Sequence, residues 1–116
     1  MKLDLWQVDA FTNQRLAGNP AAVVPLEAWL PDERMLAIAA ENNLSETAFL
    51  VNEPQGWRIR WFTPTTEVEL CGHATLASAH VLLNHLEPGR DGVTFASRSG
   101  PLVVTRQEGR LALDLP

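Results

Sequence analysis

The residues most suited to chemistry are a thiol, a glycine and an imidazole that follow one another at Cys71, Gly72 and His73. The segment from Leu70 to Leu86 contains no Asp, Glu, Lys or Arg, and its apolar residues spread around every face of a predicted helix. The three residues are therefore expected at the start of a buried helix, where the first backbone N–H groups lack intrahelical partners and the dipole favours negative charge. That position predicts an anion site, in which backbone N–H groups hold a substrate carboxylate.

Cys71 itself has two interpretations. The field at a helix start favours the thiolate, which would make Cys71 a general base near neutral pH. Free cysteine is also among the residue types most often buried, where it behaves as a small hydrophobic side chain. Because Cys71 is the lone cysteine, the chain has no intramolecular disulfide and no zinc site built from several thiolates.

The remaining sequence predicts the elements that position this helix. Apolar or alternating stretches bounded by turn residues predict strands at 4–10, 21–24, 47–51, 57–63, 93–96, 102–105 and 111–115. Pro25 is expected to stop the second strand, and a half-exposed helix is expected to begin at Pro31 and Asp32 and to end at Asn42 and Asn43. Together these elements predict an α+β fold: a curled, mainly antiparallel sheet around a buried central helix, with one additional half-exposed helix.

Length and composition limit the class of protein. With 116 residues, 46% apolar and 20% charged, the chain is expected to fold as a single lobe over residues 1–116. The net charge is −5 and the nine basic residues are scattered, so a nucleic acid is not an expected partner. The uncharged stretch is too short and too polar for a membrane span, no export signal is visible, and we expect a cytoplasmic protein. No signature of a metal, a nicotinamide or a phosphate-binding loop is present, and no cofactor is expected.

Three ordered motifs resemble the phenazine-biosynthesis isomerase-like (PhzF-like) family. They are Gly18-Asn19-Pro20-Ala21-Ala22-Val23, Asn43-Leu44-Ser45-Glu46-Thr47-Ala48-Phe49, and Phe62-Thr63-Pro64 followed by Glu67-Val68-Glu69-Leu70-Cys71-Gly72-His73-Ala74-Thr75-Leu76-Ala77. The resemblance covers nearly the whole chain. It implies a diaminopimelate-epimerase-like fold of two similar lobes, of which this chain is the amino-terminal one.

The resemblance also implies a role for each candidate site residue. Glu46 matches the family's proton-shuttling acid/base, and its place between a helix end and a strand allows the partial burial that suits such a carboxyl group. Asn19 matches a residue that contacts polar groups of the substrate, although Asn beside Pro also serves a turn. His73 matches a histidine that orients the substrate, and Gly72, His73 and Ala74 would offer backbone N–H groups to its carboxylate.

The function implied is a cofactor-independent isomerase or epimerase that moves a proton on a small carboxylate-bearing, amino-acid-like substrate. The phenazine enzyme's own pattern has no thiol before Gly-His, whereas Cys71 is typical of the epimerase branch, so both reactions stay open. Only half of the active site is expected here. A missing carboxyl-terminal lobe, or an identical chain in a homodimer, would complete it.

Two other functions compete with this one. A non-catalytic small-molecule binding or interaction domain would keep the carboxylate pocket without the chemistry. A hydrolase that uses Cys71 and His73 is less favoured, because residues two apart at a helix start are expected to point in different directions. His80 and His85 are expected to be structural, since a spacing of five does not place both on one helical face, and the tryptophans are expected to be packing residues.

Overall fold

The computed structural model describes residues 3–8 and 20–114. The elements found in these ranges are β1 Trp6–Val8, β2 Ala21–Leu26, α1 Asp32–Asn42, β3 Glu46–Glu53, β4 Gly56–Phe62, β5 Glu67–Val68, α2 Gly72–Val81, β6 Gly92–Phe95, β7 Leu102–Gln107 and β8 Arg110–Asp114. A π-helical turn, Leu82–Leu86, continues α2. The predicted α+β class is confirmed.

The strands form two sheets, in the orders β1-β2-β3-β4-β5 and β6-β7-β8. Neighbouring strands are antiparallel except β2 and β3, which run parallel and are connected through α1. The two sheets meet at Ala96, whose N–H donates to the Trp57 carbonyl over 2.9 Å and whose carbonyl accepts from the Ile59 N–H over 3.0 Å. The sheet is therefore mainly antiparallel and curls around α2, as the sequence predicted.

Strand β3 separates two apolar cores, because successive side chains of a strand point to opposite faces of the sheet. Ala48 and Leu50 belong to the core around α2. Phe49 and Val51 belong to the core that includes residues of α1. Glu46 lies two residues before Ala48, so the alternation directs its side chain to the α2 side of the sheet.

Helix α2 is enclosed, as its uncharged sequence indicated. Its buried residues are Ala74, Thr75, Ala77, Ser78, Ala79 and Val81. The Ser78 hydroxyl donates to the Ala74 carbonyl over 2.7 Å, and the Thr75 hydroxyl donates to the Cys71 carbonyl over 2.8 Å. The indole N–H of buried Trp61 donates to the Thr75 hydroxyl over 3.1 Å, which ties β4 to the first turn of α2. In the part of the chain that the structure describes, no helix is long and apolar enough to cross a bilayer.

The expectation that Pro25 stops the second strand is wrong, since β2 continues to Leu26. Strand β1 is paired with residues 21–23, and β3 is paired with the whole of β2. Pro25 has no N–H to donate, which a strand tolerates where it has a neighbour on one side only. Beyond Val23, β2 is no longer paired with β1.

The expectation that His80 and His85 lie on different faces is also wrong, because their ring centroids are 6.3 Å apart. The π-helical turn Leu82–Leu86 has five-residue hydrogen bonding, seen in the Glu87 N–H that donates to the Leu82 carbonyl over 2.7 Å. Residues five apart therefore come together. Burial, and then the charges of His85 and Arg106, lower the pKa of His80.

Replacing Thr75 with valine tests the connection between β4 and α2. Thr75→Val keeps the side-chain shape but leaves the buried indole N–H of Trp61 without its acceptor, so the free energy of unfolding should fall by about 1–3 kcal/mol. Urea unfolding measures this change. Thr94→Val, at an exposed position of β6, is the matched control and should change stability by less than about 0.5 kcal/mol. Equal stability of the two variants would show that this hydrogen bond does not hold the helix start.

Candidate functional site

Glu46 is positioned by the short connection between α1 and β3. Helix α1 ends at Asn42 and is capped by Asn43, which has a left-handed backbone with φ of 53° and donates its N–H to the Ala39 carbonyl over 3.1 Å. The Asn42 amide donates to the Thr47 hydroxyl over 3.2 Å, which ties the helix end to β3. Glu46, the first residue of β3, is held between these contacts with its side chain 18% exposed.

Cys71 is positioned by the extended backbone that precedes α2. Its φ and ψ of −146° and 102° are those of a strand, while its carbonyl accepts the first helical hydrogen bond, from the Thr75 N–H over 3.1 Å. The residue is 9% exposed. Its side chain therefore projects from an extended residue rather than from the helix itself.

The segment before Cys71 is anchored by contacts that no sequence pattern indicated. The two-residue strand β5 pairs with β4. The Arg60 guanidinium donates to the two carboxylate oxygens of Glu67 over 2.8 and 2.7 Å, and the Ser99 hydroxyl donates to the Glu69 carbonyl over 2.7 Å. A strand this short leaves no periodic signal in a sequence, although the opposite charges of Arg60 and Glu67 could have suggested the pairing.

Glu46, Cys71 and His73 form one cluster. Cys71 Sγ lies 3.6 Å from His73 Nδ1 and 3.9 Å from His73 Nε2, and Nε2 is in contact with Glu46 Oε1. Each residue contributes one possible ligand atom: a carboxylate oxygen of Glu46, the sulfur of Cys71 and a ring nitrogen of His73. These three atoms all lie within 4.8 Å of one another. The fold thus brings together a carboxylate from β3 with a thiol and an imidazole from the start of α2.

The expectation that Cys71 and His73 point in different directions is wrong. It assumed that both residues have helical backbone angles, in which side chains two positions apart diverge. Cys71 is extended instead, and its sulfur lies over the imidazole.

The Cys71 thiol is neutral at physiological pH. Burial is the largest cause, and together with the nearby Glu46 carboxylate it raises the pKa of Cys71 to about 11. The backbone N–H groups of Ala74 and His73 act in the opposite direction. The expected thiolate near neutral pH is therefore wrong, because loss of hydration and a neighbouring negative charge outweigh the field of the helix start.

The first turn of α2 presents the backbone N–H groups of Gly72, His73 and Ala74. Within residues 3–8 and 20–114, no side-chain hydrogen bond caps this helix end. Three N–H groups before the first helical hydrogen bond can face an anion in such a helix, and here those of His73 and Ala74 also face the Cys71 sulfur. Their role in carboxylate binding stays a prediction, as do the catalytic roles of Glu46 and Cys71. Asn19, the other predicted contact to substrate, lies outside the described residues.

The sequence matches known proteins over nearly all of its length. Residues 8–114 match the family model described as "Phenazine biosynthesis-like protein". An uncharacterized isomerase of Pseudomonas aeruginosa is 57% identical over 116 residues, which are 100% of this chain and 44% of that protein. The human phenazine biosynthesis-like domain-containing protein is 45% identical over 124 aligned residues, which cover 100% of this chain and 43% of that protein.

Solved structures resemble the fold over the same region. The crystal structure of a PhzF-family phenazine biosynthesis protein of Enterococcus faecalis has a TM-score of 0.85 and 54% identity, covering 93% of this chain and 42% of that one. A Pseudomonas aeruginosa protein described as a "predicted epimerase" has a TM-score of 0.73 and 30% identity, covering 95% of this chain and 41% of that one. The chain thus spans less than half the length of these relatives. It belongs to the phenazine biosynthesis-like protein family.

Proposed function

We propose that this chain supplies one half of the active site of a cofactor-independent isomerase or epimerase that moves a proton on a small carboxylate-bearing, amino-acid-like substrate. The observation that carries the proposal is the contact between Glu46 and His73 beside the Cys71 thiol, at the uncapped start of α2. Membership of a family with relatives named as an isomerase and described as a predicted epimerase supports it.

Substrate binding begins with the helix start. The N–H groups of Gly72, His73 and Ala74 would receive the substrate carboxylate, favoured by the positive end of the α2 dipole. A carboxylate held there brings the substrate carbon next to it close to the Glu46 side chain. This is because Glu46 contacts the ring of His73, which lies in the first turn of α2. Binding of this kind fixes the reacting C–H bond against the base before the reaction begins.

Proton transfer is assigned to Glu46. Its carboxylate accepts the proton from the carbon next to the substrate carboxylate, so that a C–H bond breaks, an O–H bond forms, and the electron pair passes into the substrate. The protonated Glu46 then returns the proton to a different carbon of the substrate, which completes an isomerisation. His73 positions the carboxylate of Glu46 during both steps.

Epimerisation would need a proton from the opposite face of the same carbon. Since the Cys71 thiol is neutral, it fits a proton donor and not the base that the sequence suggested. The second base or acid would come from the other wall of the cleft. This chain therefore supplies the group that acts on one face of the carbon, and the other wall of the cleft supplies the group that acts on the opposite face.

A second lobe, or a second copy of this chain, is proposed to cover the site. The chain spans 44% of the Pseudomonas isomerase that it matches. Leu70, next to Cys71, keeps 42% of its surface exposed and would be covered by such a partner. A symmetric homodimer would bring two copies of the cluster to one cleft.

The uncapped start of α2 also fits a second candidate function. A non-catalytic binding domain could hold a small carboxylate through the N–H groups of α2 and carry out no reaction. Binding and proton transfer separate these candidates, because only the isomerase breaks a C–H bond.

Solvent-deuterium exchange tests the isomerase. The chain joined to the remaining part of the Pseudomonas isomerase should place deuterium beside the carboxylate of at least one amino or hydroxy acid from a panel, detected by mass spectrometry. Glu46→Gln should lower the rate by about 10²–10⁴-fold, since an amide cannot accept the proton. Glu41→Gln, at an exposed position of α1, is the matched control and should keep the rate. If every acid of the panel binds without exchange, the binding domain replaces the isomerase.

The thiolate absorbance of Cys71 tests its role as a proton donor. The thiol should stay protonated up to about pH 9, where an ordinary cysteine is largely ionised, because burial and Glu46 raise its pKa to about 11. Glu46→Gln removes a negative charge, so it should lower this pKa and shift the absorbance rise to lower pH. Glu41→Gln should not shift it. A thiolate in the parent chain near neutral pH would contradict the assignment of Cys71 as the acid.

A further inference from the structure

We propose that Glu46, Cys71 and His73 together form a binding site for Zn²⁺ or a chemically similar divalent transition-metal ion. The cluster supplies one sulfur, one imidazole nitrogen and one carboxylate oxygen. These are the three ligand types that zinc takes from proteins. No spacing in the sequence indicated this site, because the carboxylate and the other two ligands come from separate elements of the fold.

The distances approach those around a tetrahedral ion, and the imidazole of His73 must rotate away from Glu46 Oε1 before an ion fits between them. Bonds of about 2.3 Å to sulfur and about 2.0 Å to nitrogen place tetrahedral ligand atoms about 3.3–3.6 Å apart. Cys71 Sγ already lies 3.9 Å from His73 Nε2, the nitrogen that contacts Glu46. The largest separation in the cluster is within 4.8 Å, a distance that rotation of the side chains can shorten.

The position of Glu46 favours a cation as well. Its Oε1 atom is buried and lies against His73 Nε2. A buried carboxylate is costly unless a positive charge or hydrogen-bond donors compensate for its lost hydration. A metal ion between Glu46, His73 and Cys71 would neutralise the carboxylate.

Three protein ligands leave one coordination position open. The side chains of His73 and Glu46 are 29% and 18% exposed, so a water molecule or a small carboxylate can reach that position. When the ion binds, the Cys71 thiol loses its proton to solvent and a sulfur–metal bond forms.

A bound ion would oppose proton transfer to Glu46, because a carboxylate that coordinates a divalent ion is a much weaker base. Inhibition by zinc is therefore a consequence that rests on the proposed function. Binding itself does not rest on it, since it needs only the three side chains, and it is measured without any substrate.

Cobalt(II) is the probe, because it occupies zinc sites and shows a sulfur-to-cobalt charge-transfer absorption only when a thiolate is a ligand. Titration of the 116-residue chain should give this absorption with a one-to-one end point, and Zn²⁺ should abolish it. Cys71→Ser should remove the absorption, and Glu46→Gln and His73→Gln should each weaken binding by at least about tenfold. His85→Phe, which keeps an aromatic ring on Trp6 but removes a histidine outside the cluster, is the matched control and should bind as the parent does.

Three results would overturn the proposal. The parent chain could show no charge-transfer absorption at any cobalt concentration that leaves it folded. Absorption could persist unchanged in both Glu46→Gln and His73→Gln, which would place the ion on Cys71 alone. Binding could instead be lost in His85→Phe, which would place it at the His80 and His85 pair. Failure of deuterium exchange together with cobalt binding at the cluster would remove the isomerase and leave the metal site intact.

Discussion

A short chain of hydrogen bonds from the sheet to the helix start is the constraint on which the site depends. The buried Trp61 indole donates to the Thr75 hydroxyl, and that hydroxyl donates to the carbonyl of Cys71. Trp61 is also paired in register with Ala48, two residues after Glu46 in the same strand. One tryptophan on β4 therefore fixes both the strand that carries the carboxylate and the helix end that carries the thiol. Because all these groups are buried and hydrogen-bonded, displacing either element would leave polar atoms unsatisfied in the core.

The electrostatics of the cluster follow from this enforced proximity. Burial and the Glu46 carboxylate keep the Cys71 thiol in its neutral form, against the pull of the N–H groups at the helix start. The site therefore holds one carboxylate and one neutral thiol, with an imidazole in contact with both. The carboxylate suits the acceptance of a proton, and the neutral thiol suits its donation. The same three groups, with the thiol proton removed, are a ligand set for a transition metal.

Local pattern predicted the elements well, because their signals lie within a few residues of sequence. The uncharged stretch after Leu70 predicted the enclosed helix, and Asn43 predicted the end of α1. What could not be predicted depends on the assembled structure. The ionisation of Cys71 depends on its burial, its contact with His73 depends on an extended backbone angle, and the approach of His80 to His85 depends on a π-helical turn. The proton-transfer role assigned to Glu46 came from a resemblance between motifs and not from any physical pattern in the chain.

The central claim is that the carboxylate of β3 touches the imidazole at the start of α2. Nuclear Overhauser effects between the His73 ring protons and the side-chain methylene protons of Glu46 measure this contact most directly. The account predicts strong effects in the parent chain, accompanied by effects between the Trp61 indole N–H and the Thr75 side chain. If the Trp61 to Thr75 effects are present while those between His73 and Glu46 are absent, the helix is in place without the cluster, and the account is contradicted.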